Sequence, residues 1–466
     1  MKNLVWFRND LRVLDNPALH SACTNTNEVI GLYLICEKQW RLHDDAACKI
    51  NFWIRNLQSL KKSLEHLNIP LVVIEAPLYA DVKTKIEDFI FERKITSIYF
   101  NNEYAVNELI RDREIYSSLI KNNIKVFNFH DQTIHPPGIL KTQAGENFKV
   151  YSPFKRSWFK NLNPGQLGVL PIPKKQHITN INSSSLERYL ARYKSDQGEY
   201  LWPAGEDYIH KKVDNFLSKN GSLYKLNRDY PAIDATSKLS PYLNTGIISS
   251  KWCLNKALEY NSMKLDSGDE GFVHWVSEIL WREFYRHIIY NFPKVSKNKP
   301  FLDKTVKIKW NRDEILFEKW KDGKTGIPIV DAGMRQLKKM GWMHNRVRMI
   351  TAMFLSKNLL IDWRKGEKFF MQNLIDGDIA SNNGGWQWSA STGTDAAPYF
   401  RIMNPVSQSK RFDPEGVYIK TWVSELEDCP VKDVHEPKDP NEYGYCAPIV
   451  DLKVSRKEAI DIFSAL

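Results

Sequence analysis

The first 130 residues repeat one pattern, in which a short apolar run is followed by a longer amphipathic stretch. The apolar runs occupy residues 4–7, 29–35, 71–74, 98–100 and 126–129. Between several of them, stretches such as 50–67 and 82–91 place apolar side chains near helical spacing. This alternation predicts a parallel β-sheet buried between crossover helices, and hence an α/β, Rossmann-like domain over residues 1–130. No GxGxxG motif follows the first strand, so we expect no ordinary dinucleotide site there.

The chain changes character after residue 130. Residues 131–205 contain the turn signals HPPG at 135–138 and NPG at 163–165, which predict a long connector with short helices. Beyond it the apolar spacing is helical, for example over 278–290, 329–339 and 342–360. We therefore expect the α/β domain to be followed by a 131–205 connector and an all-helical 206–466 domain.

Cysteine usage and the absence of long apolar runs indicate the compartment. The six cysteines form no CxxC pair and have no matching His spacing, which predicts free thiols, no metal site and a reducing environment. Arg8 and Asp10 interrupt any signal-peptide core, and no stretch reaches about 18 uncharged residues. We expect a soluble, cytoplasmic protein without a membrane partner.

The positive charge is concentrated in one third of the chain. The whole chain has 66 Lys and Arg against 55 Asp and Glu, a formal net charge of +11. Residues 271–420 hold 25 Lys and Arg against 15 Asp and Glu, a net of +10, together with eight of the 15 Trp. Basic residues interleaved with aromatic ones favour a surface that follows a phosphate backbone and stacks bases. A Trp-rich helical core with a basic exterior would give the same composition.

Three polar segments are candidates for a ligand site. The segment DGDIASNNGGWQWSASTGTD at 376–395 combines carboxylates, amides and glycines beside Trp, which suits a cofactor or ligand pocket. The segment TSKLS at 236–240 offers hydroxyls and N–H groups to an anion at a helix start. Helical spacing groups polar and aromatic side chains at Glu278, Trp281, Arg282 and Tyr285, and again at Asn345 and Met349. Ordinary helix capping and a buried polar cluster are the alternative interpretations.

With these segments in view, the chain resembles the photolyase–cryptochrome family, and most closely class I cyclobutane pyrimidine dimer photolyases of the bacterial type. The opening WFRNDLRVLDNPAL resembles the family's N-terminal signature. The later motifs follow in the family's order: TSKLSPYLNTG, WREFYRH, GKTGIPIVDAGMRQL, GWMHNRVRM, DWRKGE and DGDIASNNGGWQWSASTGTDAAPYFRIMNP. The resemblance covers the chain almost end to end, and is densest from 224 to 422.

The resemblance implies an antenna domain followed by a helical domain that holds FAD in a folded conformation. By position, the residues it places around FAD are Tyr224, Thr236, Ser237, Lys238, Leu239, Ser240, Trp275, Arg282, Asn345, Arg348, Asp376, Gly377, Asp378 and Asn382. Asn382 matches the residue that faces the flavin N5 position. Signalling cryptochromes commonly carry Asp or Cys there, whereas Asn is typical of repair enzymes.

The same positions imply a substrate, UV-damaged DNA that contains cyclobutane pyrimidine dimers. The residues expected to contact the lesion or the DNA strand are Arg228, Glu278, Trp281, Arg282, Tyr285, Asn345, Arg346, Met349, Trp388, Arg401 and Gln408. Photolyases that repair six-four lesions carry His at the positions of Asn345 and Met349, so the cyclobutane dimer is the expected substrate.

Two further sets of residues follow from the resemblance. Trp386, Trp363 and Trp310 match the family's tryptophan relay, which carries an electron to the flavin under light; Trp320 is interpreted as packing. His43, Asn107, Glu108 and Lys297 match the antenna site, for which we expect 5,10-methenyltetrahydrofolate, with 8-hydroxy-5-deazaflavin as the alternative.

The implied activity is that of a carbon–carbon lyase that repairs DNA under blue light. Excited reduced FAD would give an electron to a dimer that has flipped out of the duplex. Photolyases belong to the enzymes that flip their target base out of the stack. Glu278 is expected to assist at the dimer. We expect a monomer that needs no protein partner and associates with the nucleoid when bound to DNA. The alternatives are a cryptochrome photoreceptor and a photolyase restricted to single-stranded DNA.

Overall fold

The five apolar runs near the N-terminus form the strands of one sheet in the computed structural model of the chain, which describes residues 2–24, 26, 28–195 and 201–466. The strands are β1 (Asn3–Phe7), β2 (Val29–Ile35), β3 (Leu71–Glu75), β4 (Ser97–Asn101) and β5 (Lys125–Phe129). They lie in the order β3-β2-β1-β4-β5, and each neighbouring pair is parallel. In register, Asn3 pairs with Val29 on one side of β1 and with Ser97 on the other. The predicted parallel α/β sheet is confirmed.

Helices connect these strands and make up the regular structure that follows them. The α-helices are α1 (Pro17–Thr24), α2 (Glu37–Leu42), α3 (Ala47–His66), α4 (Tyr79–Arg93), α5 (Val106–Lys121), α6 (Tyr151–Lys160), α7 (Glu187–Arg192), α8 (Glu206–Asn220), α9 (Tyr224–Asn227), α10 (Ser240–Thr245), α11 (Ser250–Tyr260), α12 (Glu270–Asn291), α13 (Glu314–Lys321), α14 (Pro328–Met340), α15 (Asn345–Met353), α16 (Trp363–Met371), α17 (Ile379–Ser389), α18 (Pro405–Phe412), α19 (Val417–Trp422) and α20 (Leu452–Ser464). In the described part of the chain after β5, β-pairing is limited to two isolated bridges. No described helix has the length and apolar character needed to cross a membrane.

The chain divides into two compact units, and each unit is built from several separate segments of the sequence. The first unit contains residues 2–195, Trp202–Ser222 and Ser237–Pro293, and so includes the sheet and α12. Among the described residues, the second unit contains Leu201, Leu223–Thr236 and Lys294–Leu466. The boundaries predicted at residues 130 and 205 remain predictions, and residues 196–200 of the predicted connector lie outside the described residues.

The sheet is apolar because helices cover it. Every residue of β1, β2 and β4 is buried, as expected for strands with both faces covered. β5 at the edge is largely exposed and carries Lys125 and Asn128. A charged edge strand resists pairing with other chains.

Part of the predicted connector packs into the first unit. In α6 the side chains of Tyr151, Phe154 and Trp158 are buried. The buried carboxylate of Glu283 on α12 accepts hydrogen bonds from the backbone nitrogens of Ile134 and His135 (2.9 and 3.0 Å) and from Nε1 of Trp158 (2.8 Å). Burial raises the pKa of a carboxyl group, but His287 and these donors hold the pKa of Glu283 below its usual range. The segment 134–158 is therefore anchored to the middle of α12.

The second unit is built on its own apolar cluster, which includes Trp320, Trp363 and Trp386. Between α15 and α16 the helix widens into a π-helical turn, Phe354–Asn358. Such turns insert an extra residue into a helix and are frequent at functional sites. Here the turn carries Lys357, whose side chain is fully buried.

Candidate functional site

The predicted site residues are divided between the two units. The first unit holds the helix α12 with Trp275, Glu278, Trp281, Arg282 and Tyr285, together with Ser237, Lys238, Leu239, Ser240, His43, Asn107 and Glu108. The second unit holds Tyr224, Arg228, Thr236, Lys297, Trp310, Asn345, Arg346, Arg348, Met349, Trp363, Asp376, Gly377, Asp378, Asn382, Trp386, Trp388, Arg401 and Gln408. The boundary between the two units therefore falls within the TSKLS segment, between Thr236 and Ser237.

The partly exposed face of α12 carries aromatic rings that pack against one another. The ring of Tyr151 stacks on that of Trp281 with centroids 3.6 Å apart and planes at 12°. The Tyr151 hydroxyl donates to the backbone oxygen of Ser277 (2.8 Å), which fixes the Tyr151 ring. Tyr285 lies against Trp281 at a centroid distance of 5.7 Å. With one face covered by Tyr151, the Trp281 ring is a rigid platform for stacking.

Glu278 has a cation for a neighbour. It is partly exposed, and its charge acts on the half-buried ammonium of Lys155 on α6. Burial lowers the pKa of Lys155, and the Glu278 carboxylate opposes that shift. Lys155 Nζ also donates to Ser277 Oγ (3.2 Å). The carboxylate and the ammonium thus lie beside the Trp281 platform.

The segment 237–240 is tied to α12 and adopts an unusual backbone conformation. Trp275 Nε1 donates to Ser237 Oγ (3.2 Å). Lys238 has φ of +50°, a left-handed conformation that is uncommon outside glycine. Helix α10 then ends at Gly246, where φ is +65° and an added Cβ would meet the backbone oxygen of Asn9 at 2.0 Å. Only glycine fits at this position at the C-terminal end of α10.

Arg282 links several parts of the first unit. Its guanidinium donates to the backbone oxygens of Gln132 (2.8 Å) and Leu243 (3.0 Å) and to Ser250 Oγ (3.0 Å). These bonds connect α10, α11 and α12 to the start of the predicted connector. Arg282 therefore has a positioning role within the protein, whatever else it binds.

In the second unit, Arg348 and Asp376 form a two-point ion pair. Arg348 Nη2 lies 2.9 and 3.1 Å from the two carboxylate oxygens of buried Asp376, and Arg348 Nε donates to the backbone oxygen of Met343 (2.7 Å). Two residues later, Asp378 caps α17 by accepting from the backbone nitrogen and hydroxyl of Ser381 (3.0 and 2.6 Å). The DGD segment thus positions the start of α17.

The side-chain amide of Asn382 is anchored to the backbone of α16. Its nitrogen donates to the backbone oxygen of Glu367 (2.9 Å). The side chain of the same Glu367 accepts from the amide of Asn383 (2.8 Å), whose oxygen accepts from Gln387 (2.9 Å). This bond uses one of the two N–H groups of the Asn382 amide, so the second N–H can donate to a ligand and the side-chain oxygen can accept from one.

The three tryptophans of the predicted relay belong to one apolar cluster. Trp386 and Trp363 are fully buried, whereas Trp310 is partly exposed. Gly366 lies under the Trp386 ring, since an added Cβ there would meet it at 2.1 Å. Trp320 also contacts Trp386, with ring centroids 6.0 Å apart, and donates to the backbone oxygen of Thr351 (3.1 Å). Trp320 therefore packs directly on Trp386 of the predicted relay.

Two arginines predicted to hold DNA share a carboxylate. Arg346 Nη2 lies 2.7 Å from Asp229 Oδ2, and Arg228 Nε lies 3.7 Å from Asp229 Oδ1. The Arg346 guanidinium also covers the ring of Phe412 at 4.4 Å, and its Nη1 lies 3.9 Å from Met349 Sδ. Asn345 is exposed at the first position of α15.

The remaining predicted residues are dispersed over the second unit. Tyr224 is buried at the start of α9 and faces Arg228 at 5.3 Å. Arg401 and Lys297 are exposed, Gly377 is buried, and three others are partly exposed: Thr236, Trp388 and Gln408. In the first unit, Leu239 is buried and Ser240 is exposed at the first position of α10.

Three of the four predicted antenna residues lie together. His43 Nε2 lies 2.9 Å from the Asn107 side-chain nitrogen, and His43 Nδ1 lies 3.8 Å from Glu108 Oε1. Tyr79 donates to the same Glu108 oxygen (3.1 Å). Burial and the nearby Glu103 carboxylate raise the pKa of Glu108. Lys297, the fourth, belongs to the second unit.

The carboxyl ends of β1 and β4 mark the switch point of the sheet, where nucleotide ligands bind in many α/β proteins. Here the protein's own side chains form a network at that edge. Arg8 Nη1 lies 2.8 Å from both oxygens of Asp112, and Arg111 Nη2 lies 2.7 Å from Glu103. Asn101 donates to Asp10 (2.6 Å). The polar groups of this edge bind one another.

Several contacts that organise the site were not predicted. Tyr151, Lys155, Asp229 and Glu367 each bind a predicted residue or a neighbour of one. Glu367 ends the DWRKGE motif and Asp229 follows Arg228, so both lie beside residues already singled out. Nothing in the local sequence distinguishes Tyr151 or Lys155.

Comparisons with known proteins show which family the chain belongs to. Residues 3–176 match the family described as DNA photolyase, and residues 275–465 match the FAD binding domain of DNA photolyase. The chain is 42% identical to the deoxyribodipyrimidine photo-lyase of Buchnera aphidicola, over 99% of this chain and 96% of that protein. It is 41% identical to the enzyme of the same name from Escherichia coli, over 99% and 98%. The crystal structure of a class III photolyase from Agrobacterium tumefaciens superposes with a TM-score of 0.90 at 34% identity, over 100% and 97% of the two chains. The chain belongs to the DNA photolyase family.

The residues of α17 fit the FAD that this family binds. An added Cβ at Gly385 would meet no atom within 4 Å, so open space lies beside the helix one turn after Ser381. The oxygen of Asn382 is an acceptor, and Arg348 with Asp376 supplies charge close to the start of the helix. Such groups match the hydroxyls and ring nitrogens of a flavin nucleotide.

Proposed function

We propose that this chain is a class I deoxyribodipyrimidine photolyase, which splits cyclobutane pyrimidine dimers in DNA under blue light. Its similarity to the E. coli and Buchnera enzymes of that name extends over 99% of the chain. The observation that supports the proposal is the side-chain amide of Asn382, which its bond to the backbone oxygen of Glu367 holds in place. When bound, reduced FAD supplies the light-driven electron that opens the dimer and receives it again.

The residues of this chain bind and orient. On α12, the Trp281 platform stacks a base of the dimer, and Glu278 bonds its polar edge. In the second unit, the side-chain oxygen of Asn382 would accept a hydrogen bond from an N–H group of reduced FAD. Basic side chains, including Arg346 and Arg401, bind phosphates of the damaged strand. The unstacking of a damaged dinucleotide costs only about a few kcal/mol, which these contacts offset.

The relay and the antenna complete the proposal. Trp310, Trp363 and Trp386 would carry an electron inward from the surface. For the antenna we favour 5,10-methenyltetrahydrofolate over a deazaflavin. The cluster of His43, Asn107 and Glu108 offers a carboxyl group and an amide to a pterin ring, whereas the switch-point edge is filled by the Arg8–Asp112 network. We further propose that the enzyme acts as a monomer in the cytoplasm, on nucleoid DNA.

The test is a count of dimers under light and in darkness. Purified protein with reduced FAD is incubated with duplex and single-stranded oligonucleotides that carry one cyclobutane dimer. Loss of dimers from both substrates, only in light, is expected. Loss from the single strand alone would favour the single-strand-specific alternative. Equal counts in light and darkness on both substrates would refute the proposal and favour a photoreceptor.

A further inference from the structure

Asp229 forms ion pairs with two arginines that are predicted to bind DNA. Asp229 is 31% exposed at its side chain, and its two partners, Arg346 and Arg228, are 18% and 13% exposed. All three residues therefore lie at the border between protein and solvent. One carboxylate faces two guanidinium groups there, and these are groups that prefer to bind a phosphate through paired N–H donors.

Two neighbouring features affect the charge around Arg346 and Asp229. Arg346 lies in the first turn of α15, where the helix dipole disfavours a cation and attracts an anion. Burial lowers the pKa of His344 to about 4, so its ring is neutral at pH 7 and does not balance Asp229. The start of α15 therefore adds positive potential beside Arg346, which favours an anion at this place.

Arg346 does not depend on Asp229 alone for its position. Its guanidinium lies 4.4 Å from the centre of the Phe412 ring, and the Tyr230 ring packs edge-on against Phe412 at 6.3 Å. Met349 contacts the other end of the guanidinium at 3.9 Å. Loss of the Asp229 charge would therefore leave Arg346 in place.

From this geometry we propose that Asp229 acts as an internal substitute for a DNA phosphate, holding Arg346 and Arg228 in the free enzyme and competing with the DNA backbone for them. The inference rests on the proposed function in that DNA is the ligand. The competition lowers affinity for any DNA strand and speeds release of the repaired product. Asp229 is thus a positioning residue that sets how tightly DNA is bound.

The test measures DNA binding in darkness, where no repair occurs. Asp229→Asn should bind both undamaged and dimer-containing duplex about fivefold more tightly, the upper range for removing one partly exposed ion pair. Its binding should also depend more steeply on salt, by up to about one unit in the log–log slope. The matched control is Glu442→Gln, which removes the same charge from an exposed position of the same unit.

A double-mutant cycle shows whether the effect passes through Arg346. In an Arg346→Gln background, Asp229→Asn should change affinity by much less than in the wild-type protein. Weaker or unchanged binding by Asp229→Asn, or a gain equal to that of Glu442→Gln, would overturn the inference. Failure of the proposed function would be seen separately, as wild-type protein that binds DNA but leaves dimers intact in light.

Discussion

Replacement of Lys357 by methionine should stabilise the protein, by an amount that falls as the pH rises. Lys357 is fully buried in the π-helical turn, and its Nζ lies 3.2 Å from the centre of the Phe463 ring. Nζ has no hydrogen-bond acceptor among the described residues. Burial lowers the pKa of this amine from 10.5 to about 7, with no charged partner contributing. The folded protein therefore holds a lysine that sheds its proton near neutrality.

The magnitude follows from that shift. A tenfold change in a proton-binding constant corresponds to about 1.4 kcal/mol, so lowering the pKa of Lys357 from 10.5 to about 7 costs the folded state about 4–5 kcal/mol at and below pH 7. Between pH 7 and 10.5 the unfolded chain keeps a proton that the folded protein has lost, so wild-type stability rises with pH in this window. Methionine has a similar volume and no charge, which limits the packing cost.

The assay is urea unfolding of wild type and Lys357→Met, both saturated with FAD, at pH 7, 8 and 9. At pH 7 the variant should be more stable by about 4 kcal/mol, and the difference should shrink by about 1.4 kcal/mol per pH unit. Other groups titrate in both proteins and cancel in the difference. Lys309→Met, at an exposed position, is the control and should show no such trend. A difference that does not change with pH would show that the ammonium is not desolvated in the folded state.

Three further predictions concern the site. Trp386→Phe should slow light-driven flavin reduction severalfold, followed by absorbance, while sparing repair by chemically pre-reduced enzyme; loss of repair in that pre-reduced state would contradict the relay assignment. Glu278→Ala should reduce lesion affinity by less than about tenfold, the size of one hydrogen bond, and reduce the repair yield by more; an unchanged yield would exclude a role at the dimer. Glu108→Gln should weaken folate binding by about 1 kcal/mol or more, measured by titration of the purified protein with 5,10-methenyltetrahydrofolate, with Glu442→Gln unchanged.

Local periodicity was sufficient to predict most of the secondary structure. The apolar runs at 4–7 and 98–100 became β1 and β4, each extended by one or two residues. The predicted helix over 329–339 corresponds to α14, which begins at Pro328 because proline suits a first helical turn. The helical spacing over 342–360 predicts one helix. In the structure, His344 caps the start of α15, and a π-helical turn follows the end of α15. Caps and extra residues in a turn are set by single contacts, which an apolar pattern does not record.

Contacts between residues that lie far apart in the chain could not be predicted from the sequence. Tyr151 and Trp281 are 130 positions apart, and only the packing of α6 on α12 brings their rings to 3.6 Å. The bond from Asn382 to Glu367 depends on a backbone oxygen, which carries no sequence signal at all. Family motifs therefore predict the individual site residues, whereas the groups that orient these residues are seen only in the structure.

The stacking of Tyr151 on Trp281 couples two segments that a sequence alignment would treat as independent. A change at position 281 that alters the ring facing the substrate also removes the surface on which Tyr151 rests. Tyr151 in turn lies on α6, in the segment that Glu283 anchors to the middle of α12. Positions 151 and 281 should therefore vary together among relatives, with large planar side chains retained at both or lost from both. Insertions should be tolerated in the exposed stretch after α6 and excluded between residues 150 and 158.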